Sequence, residues 1–253
     1  MKKVSFKIII ILIFSITNTY AGWYKCYNYK GTIDKYPISF SIQITEDYFG
    51  EKEKGFNING IYKYDKHNNP IKLEGKIDFK NNKAYIYEVQ NSKNTAVFEF
   101  NFSEGDCNGT WENLSTKKTL PLHLSFISKL LDTSENDLFY DVEIIQSNSL
   151  LNYYFIGIYS KLDSEDRAYM EKLKIIRKSD NSIFQILDFS YIETDTGNVK
   201  TVIYDNVEVV NAKTKELIIW NNIGKMGGYF TVKYNSKKNK FQINPKLIID
   251  GPE

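Results

Sequence analysis

Apolar side chains recur at every second position through most of the first half of this chain. Ile38, Phe40, Ile42 and Ile44 set the pattern, and Phe56, Ile58, Gly60, Tyr62 and Tyr64 repeat it. It resumes at Ile71, Leu73, Gly75, Ile77 and Phe79, then at Tyr85, Tyr87 and Val89. Ala96, Phe98, Phe100 and Phe102 follow, and Leu120, Leu122, Leu124 and Phe126 close the series. Successive side chains of a strand point to opposite faces, so this spacing gives each segment one dry and one wet face. Turn formers stand between the segments, at Gly50, Asn68-Asn69-Pro70, Asn81-Asn82 and Gly105-Asp106. The chain is therefore expected to be all-β, with an antiparallel small barrel or sandwich in its N-terminal half.

A polar stretch from Asp132 to Asp137 is the best linker candidate. It divides an expected barrel-like domain at 22–131 from a second antiparallel β domain at 138–253. In the second half, strands are expected at Tyr140–Ile145, Tyr153–Tyr159, Leu173–Arg177, Ser182–Leu187, Lys200–Tyr204, Asn206–Val210 and Leu217–Trp220. A last hairpin pairs Tyr229–Tyr234 with Lys240–Ile243. Ser164 to Lys172 carries the helix-start signals, with Ser164 as a cap and acids in the first turn.

Residues 1–21 read as a signal peptide. Lys2, Lys3 and Lys7 precede an apolar run from Ile8 to Ile16, and Ala21 offers a small residue for cleavage. The run is too short to span a hydrocarbon core of about 30 Å. A periplasmic or secreted location is the expectation, with no membrane span once the signal is removed. Removing it takes three of the 33 basic residues and none of the 31 acidic ones, leaving 30 against 31. A chain so close to neutral has no overall electrostatic drive toward nucleic acid.

Export also bears on the two cysteines, Cys26 and Cys107. In an oxidising compartment two cysteines allow one pairing, so a structural disulfide between them is expected. Catalytic signals are few. His67, among Asp65, Lys66, Asn68 and Asn69, reads as a solvated turn histidine, and His123 falls on the polar phase of a strand. No nucleophile elbow, zinc-protease motif or phosphate loop is present. Acid pairs such as Glu193 with Asp195, or Glu135 with Asp137, occur at a density that chance supplies. Tyr24, Tyr27, Tyr29, Tyr153 and Tyr154 read as rim and core, with a contact surface as the alternative. No catalytic, cofactor-binding or metal-binding residue is assigned, and the chain is read as a binding protein and not an enzyme.

Two stretches carry a resemblance. Tyr29-Lys30-Gly31-Thr32-Ile33-Asp34-Lys35-Tyr36-Pro37-Ile38, Gly60-Ile61-Tyr62-Lys63-Tyr64-Asp65-Lys66, Ile71-Lys72-Leu73-Glu74-Gly75, Gly109-Thr110-Trp111 and Leu120-Pro121-Leu122 are together similar to a β-rich domain of exported Gram-negative proteins. Val207 to Phe241 resembles the C-terminal part of periplasmic lysozyme-inhibitor and immunity proteins. That resemblance implies a protein partner, a cell-wall hydrolase, and a calcium loop at Glu208–Glu216. Ala212, Lys213 and Lys215 stand where calcium ligands or a turn glycine belong, so the loop reads as degenerate and no cofactor is expected. The alternatives are a small-ligand carrier, since eight-stranded barrels can hold one ligand, and an envelope interaction protein.

Overall fold

The computed structural model describes residues 24–45, 54–134, 136–163, 168–192, 202–220 and 227–250. The expected signal peptide lies outside the described residues, as do Glu135, Ser164 to Arg167, and Glu193 with Asp195.

Eight strands form a meander that closes on itself. They are β1 (Tyr24–Ile33), β2 (Tyr36–Ile44), β3 (Ile58–Tyr64), β4 (Ile71–Asp78), β5 (Lys83–Gln90), β6 (Lys93–Asn101), β7 (Cys107–Asn113) and β8 (Thr119–Asp132). The antiparallel β1–β8 ladder, from Tyr24 opposite Asp132 to Ile33 opposite Leu122, makes the closure. Closure removes the exposed strand edges of an open sheet. It also brings backbones close at glycines: a Cβ on Gly31 would sit 2.0 Å from the carbonyl oxygen of His123, and one on Gly109 2.0 Å from that of Glu99. The β5–β6 hairpin turns through Asn91 and Ser92, with φ of 49° and 60°. A two-residue type I′ turn needs positive φ at both positions.

The barrel interior is full. The Phe40 ring lies 5.3 Å from that of Phe98, 6.0 Å from Phe100, 6.4 Å from Tyr62 and 6.5 Å from Tyr29. Ile38, Ile42, Leu73, Ile86, Leu122 and Leu124 complete this core. An interior filled by side chains is one of the two outcomes open to an eight-stranded barrel, the other being a ligand cavity.

The second half forms two antiparallel sheets. One joins β9 (Phe139–Ser149), β10 (Tyr153–Lys161), β11 (Tyr169–Arg177) and β12 (Ile183–Asp188); the other joins β13 (Val207–Asn211), β14 (Glu216–Trp220), β15 (Gly227–Asn235) and β16 (Lys240–Asp250). Their inner faces share one core, with Phe189 against Phe230 at 4.9 Å. A glutamine ties each pair of facing edges. Gln146 of β9 accepts from the Val207 N–H of β13 at 3.2 Å, and Gln185 of β12 bonds both backbone groups of Phe241 on β16.

This core continues onto the outer wall of the barrel at Tyr24, Cys26, Ile61 and Leu130. A 3₁₀ turn, Ile203–Asp205, is wedged at the junction, where the Ile203 N–H donates to Gln43 Oε1 at 2.9 Å. The Tyr159 hydroxyl accepts from Asn206 at 2.9 Å and donates to the Ile203 carbonyl at 3.3 Å.

Three expectations need correction. The disulfide is absent: Cys26 and Cys107 are both buried free thiols. Cys26 lies opposite Leu130 of β8 and Cys107 opposite Leu124. That offset of six residues along β8 puts the pair roughly 20 Å apart at ~3.3 Å per residue, against ~4.4–6.8 Å between the Cα atoms of a bridge. They also lie on opposite faces of the barrel wall, Cys107 inside and Cys26 outside against the sandwich. The expected strand at Lys200–Tyr204 is, in its described part, the 3₁₀ turn, because Tyr204 is drawn into the junction. Tyr169 to Lys172, expected to end a helical turn, belong to β11, paired with β10.

Candidate functional site

The hairpin turns at 34–35, 65–70 and 114–118 all lie at one end of the barrel, because a meander places alternate turns at the same end. Between them the mouth opens into a cup of about 590 Å³. Its walls are Tyr36 and Pro37 from β2, Tyr64 from β3, Trp111 and Asn113 from β7 and Leu120 from β8. Lys35, Lys66, His67, Thr116 and Lys118 stand on the turns around it. The volume falls within the ~300–1,000 Å³ range of small-molecule sites.

Local geometry explains the walls. Tyr62 and Leu122 point into the filled core, while Tyr64 and Leu120, two residues nearer the mouth, keep the same inward phase and meet open space. The Tyr36 and Tyr64 rings meet edge to face, with centroids 6.4 Å apart. Trp111 lies opposite Leu120 in the β7–β8 ladder. The indole N–H of Trp111 is buried with no hydrogen-bond acceptor among the described residues.

A polar cluster lies beside Tyr62, near the β5–β6 turn. Glu88 is buried and accepts from Tyr62, from Gln90 at 2.6 Å and from Thr95 at 2.8 Å. Burial raises the Tyr62 phenol well above its ordinary value, and the adjacent Glu88 carboxylate adds to the shift. The Tyr62 ring is 5.6 Å from that of Tyr64, which connects this cluster to the cup wall. Burial raises the Tyr64 phenol as well, with Glu88 contributing. Both tyrosines are neutral at neutral pH, and Tyr62 donates to Glu88.

A second cavity, of about 390 Å³, lies between β1–β3 and the β9–β10 side of the sandwich. The polar groups on its barrel side are engaged with one another. Buried Lys63 donates to Asp65 and Asn68, both at 2.8 Å, and Ser39 donates to Asp65 at 2.7 Å. Burial alone would raise Asp65, but the hydrogen bonds from Lys63 and Ser39 and the charges of Lys63 and Lys30 hold its carboxyl below the ordinary value. Asn68 continues to the Lys178 carbonyl at 3.1 Å. This network joins barrel to sandwich and has little capacity left for a ligand.

The residues singled out in the sequence are mostly elsewhere. His67 is exposed on its turn, as expected, and that turn borders the cup. His123 is exposed and bonded to Asn108. Asp137 accepts from the Thr133 hydroxyl at 2.7 Å and from the Thr133 and Ser134 N–H groups, so it closes the linker turn. All five tyrosines considered for a contact surface are buried: Tyr27 and Tyr29 in the barrel, Tyr24 and Tyr153 in the sandwich core, Tyr154 against Lys63. The Glu208–Glu216 stretch forms a tight hairpin, where Asn211 Oδ1 accepts from the Lys213 and Thr214 N–H groups at 3.0 and 3.1 Å. The Lys215 ammonium rests 3.9 Å from the centre of the Tyr234 ring. Among the described residues no group of three or more His, Cys, Asp or Glu is placed to hold a metal ion.

The cup residues were quoted in the sequence for their resemblance and their alternation, without being recognised as a site. Lys35, Tyr36, Pro37, Tyr64, Lys66, Trp111 and Leu120 all fall within the stretches that resemble exported β-rich proteins. The available signal was that aromatic residues stay in inward phase at the strand ends next to turns rich in lysine. No protein-family model, curated protein or solved structure matches the chain.

Proposed function

We propose that this is an exported, non-catalytic binding protein that seats the apolar part of a small ligand in the cup at the barrel mouth. The observation that carries the reading is an open, aromatic-walled cavity of about 590 Å³ above a barrel interior that is otherwise filled. Aromatic walls supply a large apolar contact at little entropic cost. The described lining holds no carboxylate or thiol, which fits retention of a ligand better than its chemical conversion. Export is supported by the residue pattern at 1–21. The hydrolase-inhibitor reading rests on the export pattern, the all-β architecture, the lack of catalytic motifs in the sequence and the resemblance of Val207 to Phe241.

The test is a fluorescence titration of the chain lacking residues 1–21 with phenylnaphthylamine, a neutral dye that brightens in apolar surroundings. Saturable one-to-one binding, weakened by the cup-filling Leu120→Trp, is expected. Dye binding unaffected by that substitution would refute the cup as the site.

A further inference from the structure

The rim of the cup has a charge that its walls do not need. Lys35, Lys66 and Lys118 are exposed, and none of the three forms an ion pair among the described residues. Lysines elsewhere are often paired, as in Lys129 with Glu104 at 2.8 Å and Lys233 with Glu216 at 2.9 Å. A general excess of basic residues does not explain the cluster, since residues 22–253 carry 30 basic and 31 acidic groups. Three cations from three separate turns therefore surround one apolar opening.

We propose that the cup selects an amphipathic anion, with an apolar body between Tyr36, Tyr64 and Trp111 and an anionic head held at the rim by Lys35, Lys66 and Lys118. The proposal rests on the reading of the cup as a ligand site and adds the charge of what it takes. Cations converging on a cleft with low-dielectric walls concentrate the field at its mouth and favour entry of the opposite charge. The apolar core beneath the walls, Tyr62 and Leu122 among it, orients the ligand with its apolar end inward and its anion at the lysines. The indole N–H of Trp111, in the wall of the cup, has no acceptor among the described residues, which leaves one unmet donor at the site.

Two dyes that differ only in a sulfonate test the charge. Phenylnaphthylamine is neutral; anilinonaphthalene sulfonate is the same body with an anionic group. Both would be titrated into the folded chain, with near-ultraviolet circular dichroism confirming native packing, because the sulfonate dye also stains loosened states. The expected result is tighter binding of the sulfonate dye, weakened about tenfold in the exposed-site triple variant K35Q/K66Q/K118Q. Binding of the neutral dye should be unchanged in that variant. Displacement of the dye by naphthalenesulfonate or by dodecanoate tells an aryl from an acyl body, and either supports the proposal. Equal binding of the two dyes, with no effect of the triple substitution, would overturn the charge selection and leave the cup as an apolar site. Failure of both dyes to bind would overturn the cup reading and this proposal together.

Discussion

The side-chain amide of Gln185 brackets the backbone of Phe241, donating to its carbonyl at 2.9 Å and accepting from its N–H at 2.8 Å. One residue on the edge of the first sheet thus does for β16 what a further strand would do. Gln185→Leu is expected to cost about 1–3 kcal/mol, because both backbone groups of Phe241 lose their partner inside the sandwich rim. Urea denaturation checks this. A change below about 0.5 kcal/mol would mean that water replaces the amide.

The cysteines yield a prediction independent of the compartment. Both are buried thiols far apart in the barrel wall, and burial pushes the Cys26 thiol well above its ordinary pKa. A thiol reagent should therefore react slowly with the native protein and titrate two thiols in denaturant, even after oxidative purification. Reductant should leave the melting temperature unchanged. Finding no thiols in denatured, unreduced protein would contradict the strand register.

Lys161 is fully buried and donates to Asp132 at 3.1 Å and to the Ser134 carbonyl at 2.7 Å; Asp132 also accepts from the Ala168 N–H. The pair fixes the end of β8 to β10. Lys161→Met leaves a buried carboxylate without its cation and should destabilise by about 3–5 kcal/mol. Adding Asp132→Asn should recover part of that loss in a double-mutant cycle. A purely additive cycle would rule out direct coupling.

Nine described tyrosines have raised pKa values, chiefly from burial, Tyr154 being pushed up to about 12. A raised tyrosine keeps its proton longer in the folded state than in the unfolded chain. Its contribution is complete below about pH 10, the unfolded value, and is lost as pH rises toward the folded one. Lys63 and Lys178, lowered by burial, act in the opposite sense but are only two. Stability should therefore fall steeply above about pH 10, with the tyrosinate absorbance of these nine appearing together with unfolding. Ionisation of all nineteen tyrosines in a protein that stays folded would contradict the burial of these rings.

The legible part of the fold was the part with one wet face. Strands β4 to β6 and β8 alternate because one side faces the barrel core and the other mostly faces water. Strands β2 and β3 alternate in sequence because polar residues such as Ser39, Ser41, Gln43 and Lys63 fill much of a face that is buried against the sandwich. Two strands escaped notice, and they are the ones that flank β8. β1 packs on both faces, with Tyr27 and Tyr29 inward and Tyr24 and Cys26 against the sandwich, so its apolar residues do not alternate cleanly. β7, Cys-Asn-Gly-Thr-Trp-Glu-Asn, is short and largely polar, with Gly109 chosen for close approach to β6. The cup was hidden for a related reason: Tyr64, Trp111 and Leu120 come from three hairpins far apart in sequence, and only barrel closure brings them together. The cysteine pairing failed because counting thiols carries no information about register.

The cup as ligand site is tested most sharply by the indole N–H resonance of Trp111 during titration with phenylnaphthylamine. The resonance should shift saturably, with parallel shifts at Tyr36, Tyr64 and Leu120, while Gln185 and Phe241 in the sandwich stay fixed. Saturable binding of the dye with the Trp111 resonance unmoved would place the site elsewhere and overturn the cup as the ligand site.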